Sequence, residues 1–366
     1  MSLYLDVGRC VRATSKLSSC TKCKDIHPDT IEMVNNIPTF PKGTGVEASA
    51  CIGVCPTEAF SLSSFSTTEF FFSFLESKVR LISSKINIPC ISLLSIEHLI
   101  SLAIVSDEEI TIDLTPYKRG SNLFNHINSQ IEEANFILSS FSDKQLSTNL
   151  DEVVEAPSKE EEETTSRREF LGNASIEGAV KHKRAFDEAM EKGELFEFDL
   201  TPSLIEKIKE KNIPNKRKIL FTALKRANVP ENFEVLPTEE ISFVSQKFIE
   251  ESCTNCQICY RICPTGALSS NGKFSLIHFD ALMCVKCHLC HDVCEPNSIQ
   301  FQAGFEIKEF FKPTQRVLAK FNIKRCNECG NNFTYTGGEQ ACPRCMLEEN
   351  EAIFLHNNAK LMRGDD

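Results

Sequence analysis

The chain has 366 residues, 41% hydrophobic and 25% charged, the balance of a water-soluble globular protein with room for several domains. Its formal net charge of −11, with no basic stripe to offset it, argues against nucleic acid as a general partner, and no window reaches the roughly 18 uncharged apolar residues of a membrane span. The opening MSLYLDVGRCVRAT lacks the apolar run of a secretion signal, so a cytoplasmic location is expected, and the 18 cysteines then point to metal or redox chemistry rather than disulfides.

In chain order, residues 1–62 carry Cys10, Cys20, Cys23, Cys51 and Cys55, the last followed by proline. Residues 63–145 alternate helical periodicity (TEFFFSFLESKVRLI, NHINSQIEEANFILSSF) with β-branched runs such as EITIDL, which predicts a small α/β domain. Its Cys90, in IPCIS, reads as a buried small hydrophobe. Residues 146–166, with Pro157 and the block Glu160 to Glu163, read as a solvated acidic linker. The heptapeptide SRREFLG, residues 166–172, resembles a twin-arginine export motif, but it lies in mid-chain and the following NASIEGAVKHKRAF is too polar for a signal core. It is read as the first turn of a helix behind Thr165 and Ser166, with a degenerate export element as the alternative. Residues 167–245 are expected to form charged amphipathic helices interrupted at Pro202, Pro214 and Pro230.

Residues 246–305 contain CTNCQICYRICP, residues 253–264, and CVKCHLCHDVCEP, residues 284–296. A 4Fe-4S cube needs one thiolate per iron, and a C-x2-C-x2-C loop wraps three corners, leaving the fourth to come from elsewhere. The paired runs, and the CPTGAL that follows the first, resemble the two-cluster bacterial ferredoxins over residues 246–302. In that arrangement the fourth cysteine of each run ligates the other cluster. The resemblance therefore implies one cluster on Cys253, Cys256, Cys259 and Cys294, and another on Cys284, Cys287, Cys290 and Cys263. Two zinc sites are the alternative use of the same C-x2-C units. His288 and His291 are expected to tune the surroundings rather than to ligate.

The N-terminal group looks like a degenerate copy of this module. His27 aligns with the fourth position of the first run, and Gly45, Ala48, Cys51 and Cys55 with the four positions of the second. By the same crossing, Cys10, Cys20, Cys23 and Cys55 would hold one cluster, whereas the other would need Gly45, Ala48, Cys51 and His27 and has lost at least two of its ligands. A metal-free structural domain, or a zinc site using His27, is the competing reading. Residues 306–366 carry CNECGNNFTYTGGEQACPRC, in which Cys326, Cys329, Cys342 and Cys345 have the spacing of a structural zinc ribbon, with the segment Asn331 to Gln340 turning at Gly337 and Gly338. Rubredoxin-type iron is the alternative metal there, and a polar tail is expected to follow.

The fold class expected is thus α+β and multidomain. No nucleophile with its base, no glycine-rich phosphate loop and no nicotinamide or flavin motif is present, so catalysis is expected to belong to a partner. The leading expectation is a polyferredoxin-like electron carrier with 4Fe-4S clusters and zinc, serving a redox protein such as a formate dehydrogenase- or hydrogenase-like enzyme. The alternatives are a maturation factor or a resident iron-sulfur subunit of such an enzyme.

Overall fold

The computed structural model describes residues 1–77, 79–151 and 211–363. SRREFLG, the acidic block and residues 167–210 lie outside the described residues. Mixed helix and strand build several small sheets around one large apolar core.

At the N-terminus, β1 (Leu3–Leu5) pairs antiparallel with β4 (Phe60–Leu62), so the two ends of the first cysteine module meet. Between them lie α1 (Val11–Thr14), α2 (Lys22–Ile26), the hairpin β2 (Glu32–Val34) and β3 (Ile37–Thr39), and α3 (Ala50–Val54). Gly53 allows α3 to approach the Ile91–Leu93 turn, since a Cβ there would stand 2.4 Å from the Ser92 carbonyl oxygen. Any side chain would force those backbones apart.

The next region is α/β. The helix α4 (Thr67–Glu76), capped by Ser66, leads to a parallel sheet in the order β5 (Leu81–Ile82), β6 (Ile110–Asp113), β7 (Leu146–Asn149). The last strand falls inside the stretch read as linker. Of its four residues only Leu146 is buried and Thr148, on the same face, is exposed, so no alternation marks the strand in a polar sequence. Between the strands, α5 (Ile96–Val105) opens with a Ser95–His98 capping box and buries nearly every residue, so it reads as a core helix rather than a surface one. It packs against α6 (Asn122–Ser139) and against α7 (Asn215–Leu224).

Within residues 211–245, expected to be helical, α7 is the one α-helix described, and it is followed by β8 (Val235–Pro237), which pairs with a later strand. Two of its charges, expected on a solvated face, are instead buried: Lys216 is 3% and Arg217 0% exposed. Both face Glu97 on α5, at 3.8 and 3.3 Å. Burial pushes the Glu97 carboxyl up, but Lys216 and Arg217 outweigh it and hold the group at about 2, below its ordinary 4.5.

The ferredoxin-like segment is closed by β9 (Lys247–Ile249), followed by α8 (Ile258–Ile262), β10 (Leu268–Ser270), β11 (Leu276–Asp280), α9 (Leu289–Asp292) and β12 (Ile299–Phe301). β9 pairs with β12, and β10 with β11. β13 (Gly304–Glu306) pairs with β8, α10 (Lys308–Phe311) follows, and β14 (Gln315–Lys320) extends the β10–β11 sheet. Residues assigned by sequence to the ribbon thus complete the neighbouring module. The ribbon itself is the hairpin β15 (Ile323–Arg325) and β16 (Asn332–Thr334), and α11 (Pro343–Arg363) runs through the stretch read as a polar tail.

Glu97 generates a prediction. Its depressed pKa means that its stabilisation is complete above the unfolded-state value of about 4.5 and is lost as pH falls toward about 2. Glu97→Gln is expected to cost about 3–5 kcal/mol near neutrality, the cost of breaking a buried pair, and to flatten stability between pH 4.5 and 2. Urea unfolding followed by circular dichroism across that range checks both.

Candidate metal centres

The two ferredoxin-like loops share an unusual backbone. In each, the residue before the second cysteine and the one after it are left-handed: Asn255 and Gln257 (φ 55° and 70°), Lys286 and His288 (φ 45° and 64°). None of these is glycine, so each conformation costs steric energy that the surrounding loop must over-determine. Alternation of this kind turns successive N–H groups toward one side, the geometry of an anion-binding nest, which suits a sulfide-bearing cluster.

A second signature recurs three residues after each fourth-position cysteine. Glu58 after Cys55, Gly266 after Cys263 and Asn297 after Cys294 are all left-handed, at 51°, 74° and 50°. The threonines of the two Cys-Pro-Thr segments also match, with Thr57 and Thr265 hydroxyls each 3.8 Å from the preceding cysteine sulfur. The N-terminal module therefore repeats the ferredoxin turn. Glu58 replaces the glycine because its carboxylate accepts the N–H groups of Asn215 and Lys216 at 2.7 and 2.8 Å, capping α7, whose own cap residue Pro214 offers no side-chain bond.

The thiols gather as follows. Cys263, Cys284, Cys287 and Cys290 line one cavity together with Pro264 and Thr265. Cys10, Cys20, Cys23 and Cys55 line a second, with Pro56 and Thr57 in the corresponding places. Cys253 lies close enough to Cys294 and Cys256 for their thiols to raise its own, and Cys259 responds to Cys290 of the neighbouring group as well as to Cys253 and Cys256. Burial is the first cause in every case: it pushes Cys10 up to about 11 and Cys259 and Cys290 to about 12, and it raises Cys20, Cys23 and Cys287 as well. Metal must displace protons from these sulfurs.

Gly45, Ala48 and His27 do not line the N-terminal cavity, nor does Cys51. Ala48 and Cys51 are fully buried in the apolar core, and His27 ends α2 beside Glu47. Cys90 is buried as expected, with a polar side the sequence does not reveal: its sulfur meets the Ser92 hydroxyl at 3.0 Å and receives the Tyr117 hydroxyl at 3.5 Å. His291 stacks on Phe301 at 4.2 Å between centroids and meets the Lys247 ammonium through Nε2 at 2.6 Å, while His288 is exposed on its left-handed turn.

The ribbon differs in kind. The sulfurs of Cys326, Cys329, Cys342 and Cys345 all lie within 4.8 Å of one another, and among the described residues no other group of three or more Cys, His, Asp or Glu ligands is so compact. Tetrahedral thiolates on zinc stand about 3.8 Å apart for Zn–S bonds of about 2.3 Å, and Cys329 and Cys342 are 3.7 Å apart. The Cys326 thiol is pulled down to about 6, first by the N–H of Cys329. Gly337 and Gly338 have positive φ but lie beyond β16, so the hairpin surrounds the first knuckle rather than joining the two.

Basic side chains hold the backbone of several of these cysteines, a feature cysteine spacing does not disclose. Arg12 donates to the Cys20 carbonyl at 2.8 Å, Lys211 to that of Cys263 at 2.6 Å, Lys216 to that of Cys55 at 2.7 Å and Arg217 to that of Cys284 at 2.9 Å. Each is far from its partner in sequence except Arg12.

Residues 247–269 match the family described as the 4Fe-4S binding domain. The matched segment contains Cys253, Cys256, Cys259 and Cys263, so the chain carries an iron-sulfur binding module. No curated protein matches the chain. Among the described residues, no helix is long and apolar enough to cross a membrane.

The left-handed loop positions can be tested directly. Gln257→Val, which places a β-branched residue at φ 70°, is expected to cost about 1–3 kcal/mol and to lower the iron retained by the purified protein. Gln257→Gly should retain it, and iron analysis with urea unfolding of both variants separates the backbone effect from the loss of the side chain.

Proposed function

We propose that this chain is an electron-transfer protein carrying three 4Fe-4S clusters and one structural zinc ion, and that it passes single electrons to or from an oxidoreductase partner. The observation that carries the reading is the contrast in thiol spacing. The ribbon sulfurs converge on a point, as a single ion requires, whereas the other twelve thiols assigned here form no such compact group. Sulfurs that reach the corners of a cube must stand farther apart than sulfurs around one ion.

In this reading Cys253, Cys256, Cys259 and Cys294 hold an outer cluster, Cys263, Cys284, Cys287 and Cys290 an inner one, and Cys10, Cys20, Cys23 and Cys55 an N-terminal one. Bound there, the clusters supply one-electron redox chemistry at potentials set by charge, hydrogen bonding and exposure. The cations on the ligand carbonyls contribute to that setting, and Cys256, the exposed thiol of the outer group, marks the side from which a redox protein approaches. Cys326, Cys329, Cys342 and Cys345 hold zinc in a closed site, which stabilises the fold and takes no part in redox steps.

Anaerobically purified protein is expected to contain about twelve irons, as much acid-labile sulfide, and about one zinc per chain. Replacing Cys20 and Cys23 together by serine should remove about four irons and leave zinc unchanged. Cys345→Ser should remove the zinc and leave the iron. Zinc without iron in the wild type would overturn the electron-transfer reading.

A further inference from the structure

The N-terminal thiol group and the inner ferredoxin thiol group are built against one another from two sides. On one side Val11, the neighbour of Cys10, packs with Leu289 and Val293 of the second ferredoxin run, and Cys20 and Cys287 border this small apolar cluster. Beside it the backbone N–H and hydroxyl of Ser19 both donate to the Asp292 carboxylate, at 2.9 and 2.7 Å. Lys22 lines the N-terminal thiol cavity and donates to the Ser242 carbonyl at 3.0 Å.

On the other side are two consecutive residues of α7. Lys216 grips the carbonyl of Cys55, from the N-terminal group, and Arg217 grips the carbonyls of Leu282 and Cys284, from the inner group. Their shared counterion is Glu97. One covalent step along a helix thus spans the two sites. The anchoring is rigid, since both cations are almost fully buried and Arg217 also donates to the Phe243 carbonyl at 2.8 Å.

We propose that Lys216 and Arg217, bridged by Glu97, are positioning residues that lock the N-terminal thiol group beside the inner ferredoxin group, with Val11–Leu289 and Ser19–Asp292 as the opposing contact. The three sites then form a series running from N-terminal through inner to outer, and the N-terminal site communicates with a partner through the ferredoxin sites. This rests on the three-cluster reading above, and the test keeps the two separable.

The test is low-temperature electron paramagnetic resonance of the full chain reduced with dithionite, with iron counted on the same samples. Wild type with about twelve irons should show spin–spin splitting that the Cys20→Ser, Cys23→Ser double variant loses, leaving the simpler interaction of the ferredoxin pair. Lys216→Met should keep its iron and lose the N-terminal part of the splitting, Lys216→Arg should restore it, and Asp292→Ala should weaken it from the opposite face. About twelve irons with no N-terminal contribution, or an unaltered contribution in both Lys216→Met and Asp292→Ala, would overturn the positioning role while leaving the three-cluster reading intact. Loss of iron in both variants would mark a merely structural role and also overturn it. About eight irons in the wild type would instead overturn the three-cluster reading and this inference with it.

Discussion

A loop of three closely spaced cysteines reaches three corners of a cube, and the fourth corner has to be supplied by a distant stretch of chain. In the proposed reading, that single requirement is what the gathered thiols answer. The fold brings Cys263 to the Cys284–Cys290 loop and Cys55 to the cavity of Cys10, Cys20 and Cys23, and each fourth-position cysteine is followed by the same left-handed turn. The strands that close the modules, β1 on β4 and β9 on β12, likewise join segments far apart in sequence.

Once thiols are gathered, burial works against them. Removing a thiolate from water is unfavourable, and neighbouring sulfurs add repulsion, so gathered thiols need a fixed backbone around them. The cations on the carbonyls of Cys20, Cys55, Cys263 and Cys284 do this by clamping the chain beside each ligand rather than the sulfur itself. The ribbon solves the same problem locally, with backbone N–H groups aimed at sulfur, as in the bond from Cys342 to the Cys326 sulfur at 3.2 Å.

The cysteine groups were legible because ligand chemistry imposes spacing on sequence, and EITIDL and the two long apolar helical runs because their periods are strong. β7 was hidden by polar residues on a short strand. The buried Lys216 and Arg217 were illegible because a charge looks solvated until its partner is known, and Glu97 lies more than a hundred residues away. Pattern likewise could not show that Asn255, Gln257, Lys286 and His288 occupy left-handed positions, since none is the glycine that usually announces one.

Glu58 stands where the ferredoxin copy has Gly266, and it exchanges an easy backbone turn for a tether to the first turn of α7. Its consequence concerns autonomy. A ferredoxin module can close upon itself, but the N-terminal copy has placed part of its closure in the hands of a helix more than 150 residues downstream. Excised alone, residues 1–62 would keep all their cysteines and lose the cap contact that occupies Glu58, the cation on the Cys55 carbonyl and the apolar seat of Val11. The copy repeats the pattern but depends on packing from elsewhere, so its thiol group can be transplanted only together with the body that holds it.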